Sequence, residues 1–168
     1  DTTLAVATLN TLNGNTTGVV NANTIATLTG GAAAMNTAYT AGSNGEISNL
    51  GNEAITLDDT SLAVATLNTL NGNTTGVINA NTVATLTGGA AAMNTAYTAG
   101  GNGEITNLGN EAITLDDTTL AVATLNTLNG NTSGVVNANT IATLTGGAAA
   151  MNTAYTAGGN GEITNLGN

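Results

Sequence analysis

The chain consists of three near-identical copies of one long repeat. The segment DTTLAVATLN begins at Asp1, DTSLAVATLN at Asp59 and DTTLAVATLN again at Asp117. The first two copies differ at only five positions, and each exchange, such as Val20 for Ile78, joins small or similar residues. Fixed periods are typical of repeat architectures, whose units bury their apolar faces by stacking on their neighbours. The period predicts one continuous array, divided into repeat 1 (1–58), repeat 2 (59–116) and repeat 3 (117–168), the last truncated by six positions.

Each period contains a weaker half-repeat. Its two halves, residues 54–81 and 82–111 in the middle copy, show the same order of signals: a β-branched segment, small or acidic residues, an Ala-rich stretch, an Asn-Gly pair and a second β-like segment. Strand, short helix and strand in about 28–30 residues form one coil of a solenoid. The sequence therefore predicts an α/β solenoid of stacked coils. An all-β solenoid is the alternative, because Thr and Asn are common on its faces. The predicted strands are 55–57, 76–78, 83–86 and 104–106.

The Ala-rich stretches predict helices of about ten residues that need packing to be stable. In the first stretch, Ala63, Leu67 and Leu70 are spaced i, i+4, i+7, with Val64 on their flank. Asn68 and Thr69 lie on the opposite side. In the second stretch a comparable apolar stripe lies opposite Thr95. That stripe consists of Ala90, Met93, Ala96 and Tyr97. Both helices are therefore expected to bury one face.

Flanking residues suggest where the first of these helices begins and ends. Asp58 or Asp59 is a natural N-cap, since a carboxylate accepts free backbone N–H groups and is favourable at a helix N-terminus. Asn71-Gly72 suits a left-handed exit. We therefore expect this helix to start after the Asp pair and to end before Gly72.

Composition excludes most chemistry. The chain uses twelve residue types and has no Lys, Arg, His, Cys, Pro, Trp, Phe or Gln; its net charge is -10. Without an imidazole, thiolate, amine or guanidinium group, the usual catalytic constellations cannot be assembled, so we expect no enzyme. A chain with no cationic side chain cannot neutralise phosphates, which argues against nucleic acid as a partner. No apolar run reaches the roughly 18 residues of a membrane-spanning segment.

The carboxylates recur at only four places in the repeat, and one place could bind a cation. Adjacent Asp residues with nearby Asn or backbone oxygens are ligands that calcium accepts, although the spacing of known calcium loops is missing. The candidate calcium ligands are Asp58, Asp59, Asp116 and Asp117. Helix capping and solubility are the alternative explanation. No cofactor is otherwise required.

Two further residue types recur in register. Asn residues after the second strand are expected to form ladders along the stack; these are Asn79, Asn81, Asn107 and Asn110. Tyr39, Tyr97 and Tyr155 occur once per period and are expected to form a column that packs in the core or at its rim.

The segments LNTLNGNTTGVV, ATLTGGAAAMNTAY and ITNLGNEAITL resemble tandem repeats of very large, low-complexity surface and secreted proteins of bacteria, notably marine cyanobacteria. The resemblance covers the whole chain. It implies an extracellular or cell-surface location and a structural, filament-forming role. The expected partner is the protein itself, as a head-to-tail or lateral homopolymer, or further repeats of the same chain. The alternative is a calcium-stabilised adhesin, or a repeat module that binds ice or glycan.

Overall fold

Strands and helices alternate along the whole chain in the computed structural model, which describes residues 1–167. The helices are α1 (Val6–Gly14), α2 (Ala32–Ser43), α3 (Val64–Asn73), α4 (Ala90–Gly101), α5 (Val122–Asn131) and α6 (Ala148–Gly159). The strands are β1 (Thr3–Ala5), β2 (Val20–Asn21), β3 (Thr27–Gly30), β4 (Ile47–Ser48), β5 (Ala54–Leu57), β6 (Ser61–Ala63), β7 (Ile78–Asn79), β8 (Thr85–Gly88), β9 (Ile105–Thr106), β10 (Ala112–Leu115), β11 (Thr119–Ala121), β12 (Val136–Asn137), β13 (Thr143–Thr145) and β14 (Ile163–Thr164).

All strand pairs are parallel, and the strands form four sheets. Two sheets have five strands, in the orders β1-β3-β5-β7-β9 and β6-β8-β10-β12-β14. Two have two strands, β2-β4 and β11-β13. Each helix connects strands of different sheets, as parallel pairing requires a crossover connection. The result is an α/β structure of strand–helix units with stacked parallel sheets.

The strand pairing divides each repeat into three steps, where a step runs from the start of one three- or four-residue strand to the start of the next. The first two steps stay in one sheet, because Thr3 pairs with Thr27, and Thr27 in turn pairs with Ala54. The third step is much shorter: it runs from Ala54 in β5 to Ser61 in β6 and carries the chain into the next sheet. One repeat therefore contains two strand–helix units and one short passage between sheets.

The units share one core. Consecutive helices contact each other from α1 to α6, and the buried aliphatic side chains form a single cluster. Along β5 the side chains alternate, so that Ile55 and Leu57 are buried while Ala54 and Thr56 are exposed. This period of two is the one that a strand with one buried face requires. Each unit therefore buries its apolar side chains only when neighbouring units pack against it.

Most of the predicted helix faces are confirmed. Val64, Leu67 and Leu70 are buried in α3, and the predicted stripe on α4 is buried as well. The prediction for Ala63 is wrong, because this residue is exposed and ends β6, immediately before α3 begins. Of the two residues predicted opposite this stripe, Thr69 is exposed, whereas Asn68 is half-buried and its side chain is bonded to the next helix. The α/β prediction is confirmed, and the all-β alternative is wrong.

The predicted helix ends are less accurate. Asn71 and Gly72 lie inside α3, which continues to Asn73 and is followed by Thr74 in an extended conformation. The left-handed exit occurs instead after α4, where Gly103 has φ 82°. The observed β8 is shifted towards the C-terminus relative to the predicted strand 83–86, and β6 is not among the predicted strands. None of the helices in residues 1–167 is long and apolar enough to cross a membrane.

Candidate functional site

A buried carboxylate joins successive units immediately before β5. Glu53 is only 1% exposed, and its Oε2 atom accepts the Tyr39 hydroxyl at 3.2 Å and the backbone N–H groups of Gly51 and Asn52 at 2.9 and 3.2 Å. Tyr39 lies on α2, so the contact ties that helix to the segment that leads into β5. Two of these bonds recur one repeat later, where Glu111 Oε2 accepts the Tyr97 hydroxyl at 3.0 Å and the Gly109 N–H at 2.9 Å.

The cluster places a carboxylate and a tyrosine hydroxyl together in a buried position. Burial is the main cause that raises the pKa of Tyr39 and of Tyr97 well above the ordinary range, and the nearby Glu53 and Glu111 carboxylates raise it further. Both hydroxyls therefore remain protonated donors. The second oxygen, Oε1, is buried without a hydrogen-bond partner in Glu53 and in Glu111. A buried unpaired acceptor costs about 1–3 kcal/mol, so this junction depends on the donors that it does have.

Short contacts also fix the backbone beside this carboxylate. The Thr74 hydroxyl donates to the Glu53 carbonyl at 3.2 Å and accepts the Gly76 N–H at 2.9 Å. A β-carbon at Gly76 would overlap the Glu53 carbonyl group, so only glycine fits there. The junction is therefore built from side-chain and main-chain contacts between residues on two successive turns of the chain.

The Asp pairs lie at helix N-termini, but not at the predicted one. Asp59 Oδ2 accepts the Ala32 N–H at 2.8 Å and thereby caps α2, the helix of the preceding unit. The helix that follows Asp59, α3, has Ala63 at its N-cap and no side-chain cap. Asp117 caps α4 in the same way, through the Ala90 N–H at 2.7 Å. The predicted capping of the next helix is wrong because the carboxylate reaches back to a helix that precedes it in the chain.

The predicted calcium ligands have a common position in the two internal repeats. Asp58 and Asp59 both approach Gly31, and Asp116 and Asp117 approach Gly89, at the N-termini of α2 and α4. Within residues 1–167 no group of three or more acidic side chains is clustered closely enough to hold a metal ion. Capping therefore accounts for Asp59 and Asp117, and calcium stays a prediction.

Asparagine links every pair of consecutive helices. Asn68 on α3 donates to the Ala92 carbonyl on α4 at 2.9 Å, and Asn36 on α2 donates to the Thr66 carbonyl on α3 at 3.0 Å. The same bond joins the other helix pairs, from Asn10, Asn94 and Asn126. A helix in the middle of a stack has neighbours on both sides, so a side chain opposite the apolar stripe also finds a partner.

Some of the asparagines after the second strands are joined in pairs. Asn107 donates to the Asn79 side chain at 2.7 Å, which confirms the predicted contact between these two positions. Asn81 has a different role from the one predicted, since its backbone N–H donates to the Asn79 side chain at 3.1 Å. Asn110 is exposed and directly precedes the buried Glu111. The predicted ladder therefore forms at one of its two steps.

Equivalent repeat positions have different surroundings inside the stack and at its two ends. Leu70 and Leu128 are fully buried, whereas Leu12 is 51% exposed. Tyr39 and Tyr97 are 6% and 9% exposed, whereas Tyr155 is 51% exposed. The predicted packing of the tyrosine column is therefore confirmed at two of its three positions. The first and last units present to solvent the apolar surface that internal units bury.

Comparison with known proteins gives no relative. No family model matches the chain, and no match was found among the curated proteins or the solved structures.

Proposed function

We propose that this chain is a non-enzymatic structural repeat module, an α/β solenoid segment of an extracellular or cell-surface filament. One observation carries the proposal: the internal units bury their apolar side chains against one another and repeat the same bonds, such as those of Asn68 and Asp117, from unit to unit. Leu12 is exposed on the first helix, and Tyr155 is exposed on the last. Each end displays a different part of the same internal contact. Stacking of two copies would bring these two faces into contact.

Such a contact is head-to-tail and does not close on itself. Two different surfaces that match each other generate an open filament unless the rotation between units closes a ring. The sheets add to this tendency, since unpaired parallel strand edges are templates for further pairing. Lateral association has its own support in Val19, Val77 and Val135, one exposed valine in each repeat. Head-to-tail stacking is the principal mode, and the valine row is a second contact between filaments.

The proposed location outside the cell has two supports. The first is the resemblance to repeats of bacterial surface and secreted proteins. The second is composition, because a chain without Lys or Arg offers no cleavage site to trypsin-like proteases. A structural role also suits side chains that make the same contact from unit to unit, as Asn68 and Asp59 illustrate.

Electron microscopy of the purified chain over a concentration series tests the filament directly. We expect filaments that lengthen with concentration, and far fewer for Leu12→Asp, which places a charge on the exposed end face. Leu12 is half exposed, so this variant should still fold. A charged substitution on an exposed position away from the ends, Thr69→Asp, is the matched control and should leave filaments intact. Isolated rods of one chain at all concentrations would refute the proposal.

A calcium-stabilised adhesin is the second candidate. It is favoured by the convergence of two carboxylates on one glycine, Asp58 and Asp59 at Gly31. Thermal unfolding with calcium and with chelator separates the two cases. An increase in melting temperature that Asp58→Asn abolishes would support calcium, whereas identical curves would dispose of it. Ice binding has less support, because Thr27 and Thr29 are half-buried within a sheet.

A further inference from the structure

Asn-Gly pairs occur six times in the chain, twice in each repeat, and they have two different positions. Three lie inside α1, α3 and α5 and are called the helix pairs: Asn13-Gly14, Asn71-Gly72 and Asn129-Gly130. Three directly follow α2, α4 and α6 and are called the turn pairs: Asn44-Gly45, Asn102-Gly103 and Asn160-Gly161. An asparagine is chemically least stable before glycine, because glycine has no side chain that keeps its backbone nitrogen away from the asparagine Cγ atom. The surroundings of each pair therefore decide which of them react.

The two asparagines of each repeat donate to the same glutamate. In the middle repeat Glu104 Oε2 accepts the Asn71 amide at 2.8 Å, and Glu104 Oε1 accepts the Asn102 amide at 3.3 Å. Glu46 and Glu162 are bonded to both asparagines of their repeats in the same way. In all three copies the bond from the helix pair is 2.8–2.9 Å long, and the bond from the turn pair is 3.3–3.5 Å long. The turn asparagine is therefore the more weakly held of the two.

Solvent exposure separates the two kinds of pair as well. Asn71 is half-buried inside α3, and the side chain of Asn73, two residues further on, is bonded to α2 at 2.9 Å. Asn102 and Gly103 are exposed, and the Gly103 N–H donates to the Gly100 carbonyl at 3.0 Å, just after α4. Local opening costs least where backbone bonds are exposed and few contacts are lost. Rotation of the backbone at Asn102 breaks this turn alone, whereas rotation at Asn71 also breaks the end of α3 and its bond to α2.

We propose that the turn asparagines Asn44, Asn102 and Asn160 are sites of spontaneous modification, at which the side-chain amide is lost and aspartate or isoaspartate is formed. The helix asparagines are protected by their shorter bonds and by the helix around them. The reaction requires neither a cofactor nor a filament, since the following glycine and water are its only other reactants. Each folded chain therefore carries one such site per repeat.

The modification proceeds in two steps. In the first step the Gly103 nitrogen gives its proton to hydroxide and attacks the Asn102 Cγ atom. The bond between Cγ and Nδ2 breaks, and ammonia leaves with a proton taken from water, so that a cyclic imide remains. In the second step one water molecule opens the imide at either of its two carbonyl groups, which gives aspartate or isoaspartate. No oxidant or reductant takes part, and each event adds one negative charge to the chain.

The product acts on the contact that the asparagine made. A carboxylate at position 102 lies beside the Glu104 carboxylate, and the chain contains no Lys, Arg or His that could offset the two charges. Glu104 also accepts the Asn71 amide of α3, so repulsion that moves Glu104 weakens the bond between α3 and the segment after α4. We expect modification to loosen the helix layer, and salt to reduce this effect.

Mass spectrometry of the folded full chain, kept in mildly alkaline buffer, tests the proposal. Each event raises the mass by one dalton. After denaturation, a protease that cleaves behind glutamate releases residues 54–104, in which fragmentation distinguishes Asn71 from Asn102. We expect Asn102 to react about tenfold faster than Asn71, the ratio that corresponds to about 1.4 kcal/mol, close to one hydrogen bond to a charged group.

Unfolded peptides provide the matched control for these rates. Peptides of residues 69–75 and 99–105 contain the same two Asn-Gly pairs without the fold and should react at similar rates. Equal rates at Asn71 and Asn102 in the folded chain would overturn the proposal. The absence of reaction at Asn102 while both peptides convert would also overturn it.

Substitutions test the effect on stability. Asn102→Asp reproduces the aspartate product and should lower the melting temperature by about 2–4 °C, the shift expected for the loss of one hydrogen bond in a chain of this size. Asn81→Asp is the matched control, because it adds the same charge at an exposed asparagine whose side chain makes no hydrogen bond within residues 1–167. Equal melting temperatures of the two variants would overturn the loosening of the helix layer. Asn102→Ser has no amide to lose, so an unchanged mass gain of its 54–104 fragment would overturn the assignment of the site.

Discussion

Two leucines at equivalent repeat positions offer a direct test of the stacked arrangement. Leu70 on α3 is fully buried, and Leu12 on α1, its equivalent one repeat earlier, is 51% exposed. The local sequences around them are identical, VATLNTLNGN in both cases. Helix propensity and unfolded-state effects therefore cancel when Leu70→Ala is compared with Leu12→Ala. What remains is the difference in packing.

The structure sets the size of that difference. A buried Leu→Ala change costs about 2–5 kcal/mol, since it removes transfer free energy and leaves a cavity. Burying a whole leucine side chain is worth about 1.5–3 kcal/mol. Leu12 has about half of that burial, and its open side leaves no enclosed cavity, so its loss should cost about 1 kcal/mol. Leu70→Ala should thus be more destabilising by roughly 2 kcal/mol.

Urea denaturation followed by circular dichroism, on dilute protein, measures both variants. Leu70→Ala should lower the midpoint clearly more than Leu12→Ala, with little change in the denaturant slope. Leu128→Ala provides a second internal position and should behave like Leu70→Ala, because Leu128 is also fully buried. Equal losses for Leu12 and Leu70 would refute the reasoning, since they would mean that the two positions are packed alike.

Two further predictions concern titration and capping. Because burial raises the pKa of Tyr39 and Tyr97, the folded chain holds both phenolic protons more tightly than the unfolded chain. The contribution of these tyrosines to the free energy of unfolding should be fully present below about pH 10 and fall above it by about 1.4 kcal/mol per tyrosine per pH unit. Stability measured against alkaline pH checks this, and Tyr97→Phe should halve the slope. Asp117→Ala should lower the free energy of unfolding by about 1 kcal/mol through the lost cap of α4, whereas Asp116→Ala should lower it little. Thermal unfolding compares the two variants, and equal losses would contradict the capping role.

The sequence predicts the elements better than it predicts the contacts between them. Strand, helix and strand follow from local signals, such as the Leu67 and Leu70 spacing on one helix and the alternation around Ile55. Asp59 shows the limit, since a carboxylate before a helix ordinarily caps that helix. Its actual partner, Ala32, lies in the preceding unit, and no local pattern indicates how the units are placed.

Glu53 is absent from the predicted site residues although the sequence carries a signal for it. It lies two positions before Ile55 and four before Leu57, so the period of two puts all three on the same face of the strand. A carboxylate on an apolar face suggests a buried hydrogen-bonding role, and Tyr39 supplies the donor. The half-burial of Asn68 has a different cause. A helical wheel considers one buried face, whereas a helix between two neighbours has contacts on two.

The contacts between units explain how a chain without Lys, Arg or His builds a stack that carries ten acidic side chains. Backbone N–H groups, Asn amides and Tyr hydroxyls provide the donors: Ala32 for Asp59, Asn71 for Glu104 and Tyr39 for Glu53. Because these donors are neutral, every unit can offer the same donors to the next unit, and no alternation of positive and negative residues is needed. The cost is uncompensated negative charge along the stack, which salt screens. We therefore expect stability to increase with ionic strength, the opposite of a fold held by surface ion pairs.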